Sequence, residues 1–189
     1  PKDLFTVGTA CNVLRMRKNP DGSVQMLVQA FARAKLLALE LKGGYLEAVV
    51  EPLTDMPGKD LESKALFREV RERFQSVLKE GKFLPPEVVQ LVMNLEDPSQ
   101  LADQVAFHMD FRLEDKQKIL EQPLVSERLR RVLVLLDAEL ELVETQKRIQ
   151  QQVREEIDKN QREFFLREQM KAIQRELHGE EEENELEEY

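Results

Sequence analysis

The sequence predicts an α+β fold made of a small antiparallel β-lobe, a helical lobe and one very long projecting C-terminal helix. Three observations carry that expectation. Apolar residues alternate with period two between Phe5 and Leu53, helical spacing replaces the alternation after Pro57-Gly58, and neither Pro nor Gly interrupts the chain from Val125 to Leu177.

The β-lobe is assigned to residues 1–57. Val24, Met26, Val28 and Ala30 alternate with Gln25, Leu27, Gln29 and Phe31, so one face of that segment is apolar and the other mixed. Leu46, Ala48 and Val50 repeat the period against Tyr45, Glu47, Val49 and Glu51. Asn19-Pro20-Asp21-Gly22 offers a tight reversal, and Lys42-Gly43-Gly44 offers residues that accept positive φ.

The helical lobe is assigned to residues 58–124. Leu61, Ala65, Val70, Phe74, Val77 and Leu78 recur at steps that suit an amphipathic helix, which Gly81 stops. A second helix opens at Pro85-Pro86, where proline costs little in the first turn. Asp97-Pro98-Ser99-Gln100 resembles a capping box in which Asp97 accepts from free backbone N–H groups and Gln100 reaches back.

The long helix is assigned to residues 125–178, with Gly179 as its expected C-terminal stop. At 1.5 Å per residue it would reach about 80 Å, longer than a compact domain of this size is wide. Its base is dense in apolar residues: Val125, Leu129, Val132, Leu133, Leu136, Leu140 and Val143 can line one face and join the core. Between Thr145 and Glu163 the apolar residues are Ile149, Val153 and Ile157, a single stripe suited to exposure or to contact with one other helix. Glu144 with Arg148, Glu155 with Lys159, Asp158 with Arg162 and Glu163 with Arg167 stand four apart in the favourable orientation for ion pairs. Hydrophobicity then returns in Phe164, Phe165, Leu166, Met170, Ile173 and Leu177, which need another subunit or a following domain as partner if the helix is continuous. The alternative is a break near Asn160 that folds the end back. Residues 179–189 form an acidic tail and linker.

Charge and composition limit the function classes. Seven glutamates from Glu180 to Glu188 supply most of the formal charge of −9, so the body is nearly neutral and the acid reads as a solvated tail. No basic patch supports nucleic-acid binding. The single cysteine, Cys11, excludes an intrachain disulfide and a Cys-based zinc site. Neither a signal sequence nor a run of about 18 apolar residues is present, so a cytoplasmic, non-membrane location is expected.

Catalytic chemistry has no local signature. Gly58-Lys59-Asp60 and Gly81-Lys82-Phe83 lack the first Gly and the hydroxyl residue of a phosphate-binding loop. His108 and His178 stand far apart without acidic neighbours at ligand spacing, and no Gly-x-Ser-x-Gly turn occurs. No catalytic, cofactor-binding or metal-binding residue is therefore assigned.

The run Gln161-Arg162-Glu163-Phe164-Phe165-Leu166-Arg167-Glu168-Gln169-Met170-Lys171-Ala172-Ile173-Gln174-Arg175-Glu176-Leu177 closely resembles the segment leading into the ATPase module of bacterial Lon proteases. Val7-Gly8-Thr9-Ala10, Pro20-Asp21-Gly22, Tyr45-Leu46-Glu47-Ala48, Asp97-Pro98 with Leu101-Ala102-Asp103, Lys116-Gln117 with Leu120-Glu121, and Arg128-Leu129 resemble the same N-terminal region in order and spacing. Two departures are Phe165, where Tyr is common, and Leu124, where an acidic cap is common.

The resemblance implies the substrate-recognition and assembly region of an ATP-dependent, homohexameric serine protease that degrades damaged or unfolded proteins. It implies that the Ser–Lys pair, the nucleotide loop, and the ATP and magnesium they serve belong to modules beyond Tyr189. It also implies a further stretch of strands before Pro1, so that the β-lobe is expected to be incomplete with an unpaired edge. An unfolded client offers apolar segments without fixed shape, and Met26, Met56, Met93 and Met109 are the candidate adaptable contacts. The alternative is a structural coiled-coil spacer whose helix self-associates without touching clients.

Overall fold

The computed structural model describes the backbone of residues 4–58 and 60–187, and the side chains of residues 4–58 and 61–174. Three strands, β1 (Val7–Lys18), β2 (Val24–Lys42) and β3 (Tyr45–Pro52), precede helices α1 (Asp60–Lys79), α2 (Pro86–Met93), α3 (Pro98–His108), α4 (Leu113–Leu120) and α5 (Val125–Glu187).

The strands form one antiparallel sheet in the order β1-β2-β3. Gly22 closes the first turn at φ 86°, and Gly43 and Gly44 close the second at φ 59° and 89°, a conformation that favours glycine at both central positions of a two-residue hairpin. β1 pairs with residues 24–35 of β2, whereas β3 pairs with residues 34–42. The sheet is thus two ribbons sharing one long strand and overlapping at Ala34 and Lys35. Such ribbons cannot cover their own faces. Val13, Met16, Met26, Val28, Phe31, Leu41 and Val50 are accordingly exposed, and both the apolar and the mixed face of residues 24–31 are open.

The core lies among the helices. Val70, Phe74 and Val77 of α1, Val92 of α2, Leu101 and Val105 of α3, and Leu129, Val132 and Leu136 of α5 are fully buried. Each large side chain there contributes about 1.5–3 kcal/mol by leaving water. The chain from β3 joins this lobe through a parallel bridge, in which the Met56 N–H donates to the Pro123 carbonyl at 2.8 Å and the Val125 N–H to the Met56 carbonyl at 3.1 Å. Gly58 fits here because a Cβ would stand 2.6 Å from Ser63 Oγ and 2.9 Å from Ser126 Oγ. Lys82, before α2, binds Asp110 at 2.8 Å and Glu139 of α5 at 3.0 Å, and these two carboxylates outweigh its burial and raise its pKa.

Two compact units divide within α5, Pro1–Leu140 and Glu141–Tyr189. α5 remains helical through Asn160, so the break considered there does not occur. It also continues through Gly179 to Glu187, because one glycine costs only about 1 kcal/mol inside a helix. In the second unit Glu163 pairs with Lys159 at 4.0 Å and Glu155 accepts from Gln151 at 3.0 Å, rather than from the partners expected above. Long exposed side chains have several partners of nearly equal energy within reach.

Candidate functional site: a groove between sheet and helices

Helix α3 starts where Asp97 accepts from the N–H groups of Ser99 and Gln100, with Pro98 in the first turn. The expected return bond from the Gln100 side chain is absent, so only half of the capping box forms. Leu101, Ala102, Val105 and Ala106 turn into the core. The opposite side of α3, with Gln100, Asp103, Gln104 and Phe107, lines an open groove of about 850 Å³. Leu113, Lys116, Gln117 and Leu120 of α4 line it as well. Both sets follow the spacing i, i+3, i+4, i+7 that places residues on one helical face. The other wall is Ala30–Arg33 of β2 and the chain leaving β3 at Pro52–Asp55.

Beneath the groove lies a cluster of paired charges in which Arg33 Nε, although buried, has no hydrogen-bond partner. Arg128, fully buried on the first turns of α5, donates to Asp55, to Ser99 Oγ at 2.9 Å, to Asp103 at 3.4 Å and to the Gln122 carbonyl at 3.1 Å. Arg33 of β2 donates to the same two carboxylates, reaching Asp55 at 2.6 Å. Burial pushes the Asp55 carboxyl up, but hydrogen bonds from Arg128 and Ser99 and the two guanidinium charges hold it below the usual range. Burial raises Asp103, with Arg33 and Arg128 opposing it. Two arginines thus balance two aspartates, and Gln117 ties α4 to the sheet by donating to the Val7 carbonyl at 2.9 Å.

Above this floor exposed apolar side chains stand among polar ones such as Gln100, Gln104 and Lys116. Phe31 and Phe107 are 65% and 72% exposed, and Leu113 is also open. His108 meets the Phe107 ring edge-on at 4.8 Å, and burial with the nearby Lys116 charge lowers its pKa. The arrangement suits binding of apolar groups. Among the described residues no group of three His, Cys, Asp or Glu is placed to hold a metal ion, and no helix is long and apolar enough to cross a membrane.

None of the four candidate methionines lines this groove. Met109 is 1% exposed because it fills the core, and Met93 packs against that core, so the gap-filling use of a flexible side chain prevails at both. Met26, opposite Met16 in the sheet, and Met56, in the bridge to Leu124, are exposed. In the second unit Phe164, Phe165, Leu166, Met170 and Ile173 are all exposed on α5, while Leu177 lies outside the residues whose side chains are described.

Residues 1–138 match the family of the ATP-dependent protease La (LON) substrate-binding domain. The chain belongs to that Lon family. The matched residues include both walls of the groove and the Arg128 cluster. Lon protease 2 of Thermus thermophilus is 70% identical over the whole chain, which covers 24% of that protein. The Lon protease of Escherichia coli K12 is 41% identical over 93% of this chain and 22% of its own length. The chain therefore spans about a quarter of the length of these curated relatives. The N-terminal domain of a Mycobacterium avium complex Lon protease shares the fold with a TM-score of 0.61 and 25% identity, over 71% of this chain and 72% of that one.

Proposed function

We propose that this chain is the client-recognition region of an ATP-dependent Lon protease, and that the groove between β2, α3 and α4 receives apolar segments of damaged or unfolded proteins. The observation that carries the reading is the exposure of Phe31, Phe107 and Leu113 around one concave surface in a Lon substrate-binding domain. Apolar surface of this kind is stabilised by covering it, and an unfolded chain supplies the cover. In this reading the chain itself does no chemistry. Peptide hydrolysis, ATP and magnesium belong to other modules of a cytoplasmic protease, and Met26 and Met56 extend the apolar contact beyond the groove.

The test is equilibrium binding of a permanently unfolded, alkylated polypeptide, followed by fluorescence anisotropy. Wild type is expected to bind the unfolded client in preference to its folded form. Phe31→Ser with Phe107→Ser should weaken binding about tenfold, since partial burial of each ring is worth roughly 1 kcal/mol. Unchanged affinity in a variant that melts like wild type would remove the groove from the reading.

A second reading is favoured by the exposed Phe164, Phe165, Leu166, Met170 and Ile173 on α5. Leu142, Ile149, Val153, Ile157 and Phe164 also fall within one narrow stripe at helical spacing. Here α5 serves as a self-association element that helps to organise a hexamer. The two readings are compatible, since they use different residues.

A further inference from the structure

The charged cluster beneath the groove is balanced in number but not in access. The side chains of Arg128 and Arg33 are 0% and 9% exposed, whereas those of Asp55 and Asp103 are 37% and 42% exposed. Both aspartates line the groove, and Arg128 does not. Arg33 Nε lacks a partner but is itself buried, so it offers nothing to a ligand lying in the groove. The cluster thus turns its cations inward and its carboxylates towards the groove.

The two carboxylates are not equally satisfied. Asp55 Oδ1 accepts from Arg33 and Arg128, and its Oδ2 accepts from Ser99 Oγ. Asp103 Oδ1 accepts from the same two arginines, while its Oδ2 has no hydrogen-bond partner among the described residues. The pKa directions agree: Asp55 is lowered, whereas burial raises Asp103 despite two adjacent guanidiniums. A further cation at Asp103 Oδ2 would favour a charge that burial disfavours. Gln100 and Gln104 flank Asp103 on the same face of α3, and neither carboxamide has a hydrogen-bond partner among the described residues. Their oxygens add two acceptors. The exposed rings of Phe31 and Phe107 can carry the aliphatic stem or the guanidinium of a long basic side chain. Lys116 also lines the groove, but its ammonium is turned to the Phe107 carbonyl at 3.4 Å, and its charge is felt at His108 and Asp110.

We infer that Asp103, with Gln100 and Gln104, is a specificity-determining contact that selects client segments carrying an arginine or lysine among their apolar residues. The inference rests on the client-binding reading and names the client chemistry. The apolar residues cover the exposed rings, and the basic side chain donates to Asp103 Oδ2. Arg33 and Arg128 cancel the two carboxylates at a distance, so the selection acts at contact and not by long-range steering. An acidic client residue in the same place would meet the Asp103 carboxylate and be disfavoured.

The experiment titrates three ten-residue apolar peptides into the intact chain, with arginine, citrulline or glutamate at the centre. Citrulline keeps the shape of arginine and loses its charge. The arginine peptide is expected to bind about threefold to tenfold more tightly than the citrulline peptide, the difference between a charge-assisted and a neutral hydrogen bond. The glutamate peptide should bind more weakly than either. Asp103→Asn keeps the side-chain shape and should abolish the arginine advantage. Asp103 also pairs with Arg33 and Arg128, so a wild-type readout accompanies the variant: amide shifts at residues 100–104 should differ between the arginine-bound and citrulline-bound states. Equal binding of the arginine and citrulline peptides, both weakened by Phe31→Ser with Phe107→Ser, would overturn the selection and leave the groove standing. An arginine advantage that survives in folded Asp103→Asn, or that comes without differing shifts at residues 100–104, would place the contact elsewhere, such as on the glutamates after Gly179, and overturn the role of Asp103. Binding of all three peptides unaffected by the two serine substitutions would remove the groove as well.

Discussion

Arg128 is a charged side chain at zero exposure, held by two carboxylates, a hydroxyl and a carbonyl. Removing it leaves Asp55 and Asp103 facing each other with only Arg33 between them. Arg128→Ala should therefore cost about 3 kcal/mol, read as a lower urea midpoint. The same cluster sets an acid dependence. The folded-state pKa of Asp55 is depressed, so its contribution is fully present above the unfolded value near 4 and is lost as pH falls through the folded value. Asp55→Asn should be less stable than wild type at neutral pH, and urea midpoints measured down to acid should show the difference between them shrinking. Arg128-Leu129 was visible in the sequence as a family-like pair, but its buried network was not. Its members stand on β2, after β3, on α3 and on α5, and no local spacing joins residues 33, 55, 103 and 128.

At the scale of elements, sequence periodicity located the strands and helices because each obeys a local rule. Gly43-Gly44 marks a hairpin, Pro85-Pro86 opens α2, and Asp97-Pro98 caps α3. The missing half of the capping box had no local sign, since Gln100 can reach either its own helix end or the groove. The groove did leave a signal: Gln100, Asp103, Gln104 and Phe107 on α3, and Leu113, Lys116, Gln117 and Leu120 on α4, are two helical faces of mixed polarity. Neither face shows that it meets the other until α3 and α4 fold against β2. The apolar patch on α5 was legible for the opposite reason, since it is contained in one helix. Sedimentation of a chain ending at Lys159 tests its use: weaker association than the full chain is expected if Phe164 to Ile173 join copies, and unchanged association would count against that patch.

At the scale of the whole molecule, the helical lobe holds the core while the sheet exposes both faces, and the groove lies where the sheet meets that lobe. The fold class and the Lon resemblance could be read from sequence because strand alternation, helix spacing and the run from Gln161 to Leu177 are contiguous. The burial of individual methionines could not, because packing places Met109 in the core and Met93 against it while Met26 and Met56 stay exposed. The central claim is that clients occupy the groove. It is tested most directly by amide chemical-shift mapping of the intact chain titrated with an unfolded polypeptide. Shifts concentrated at Phe31, Gln100, Gln104, Phe107 and Leu113 are predicted; shifts confined to Phe164–Ile173, with the groove amides unmoved at saturation, would contradict it.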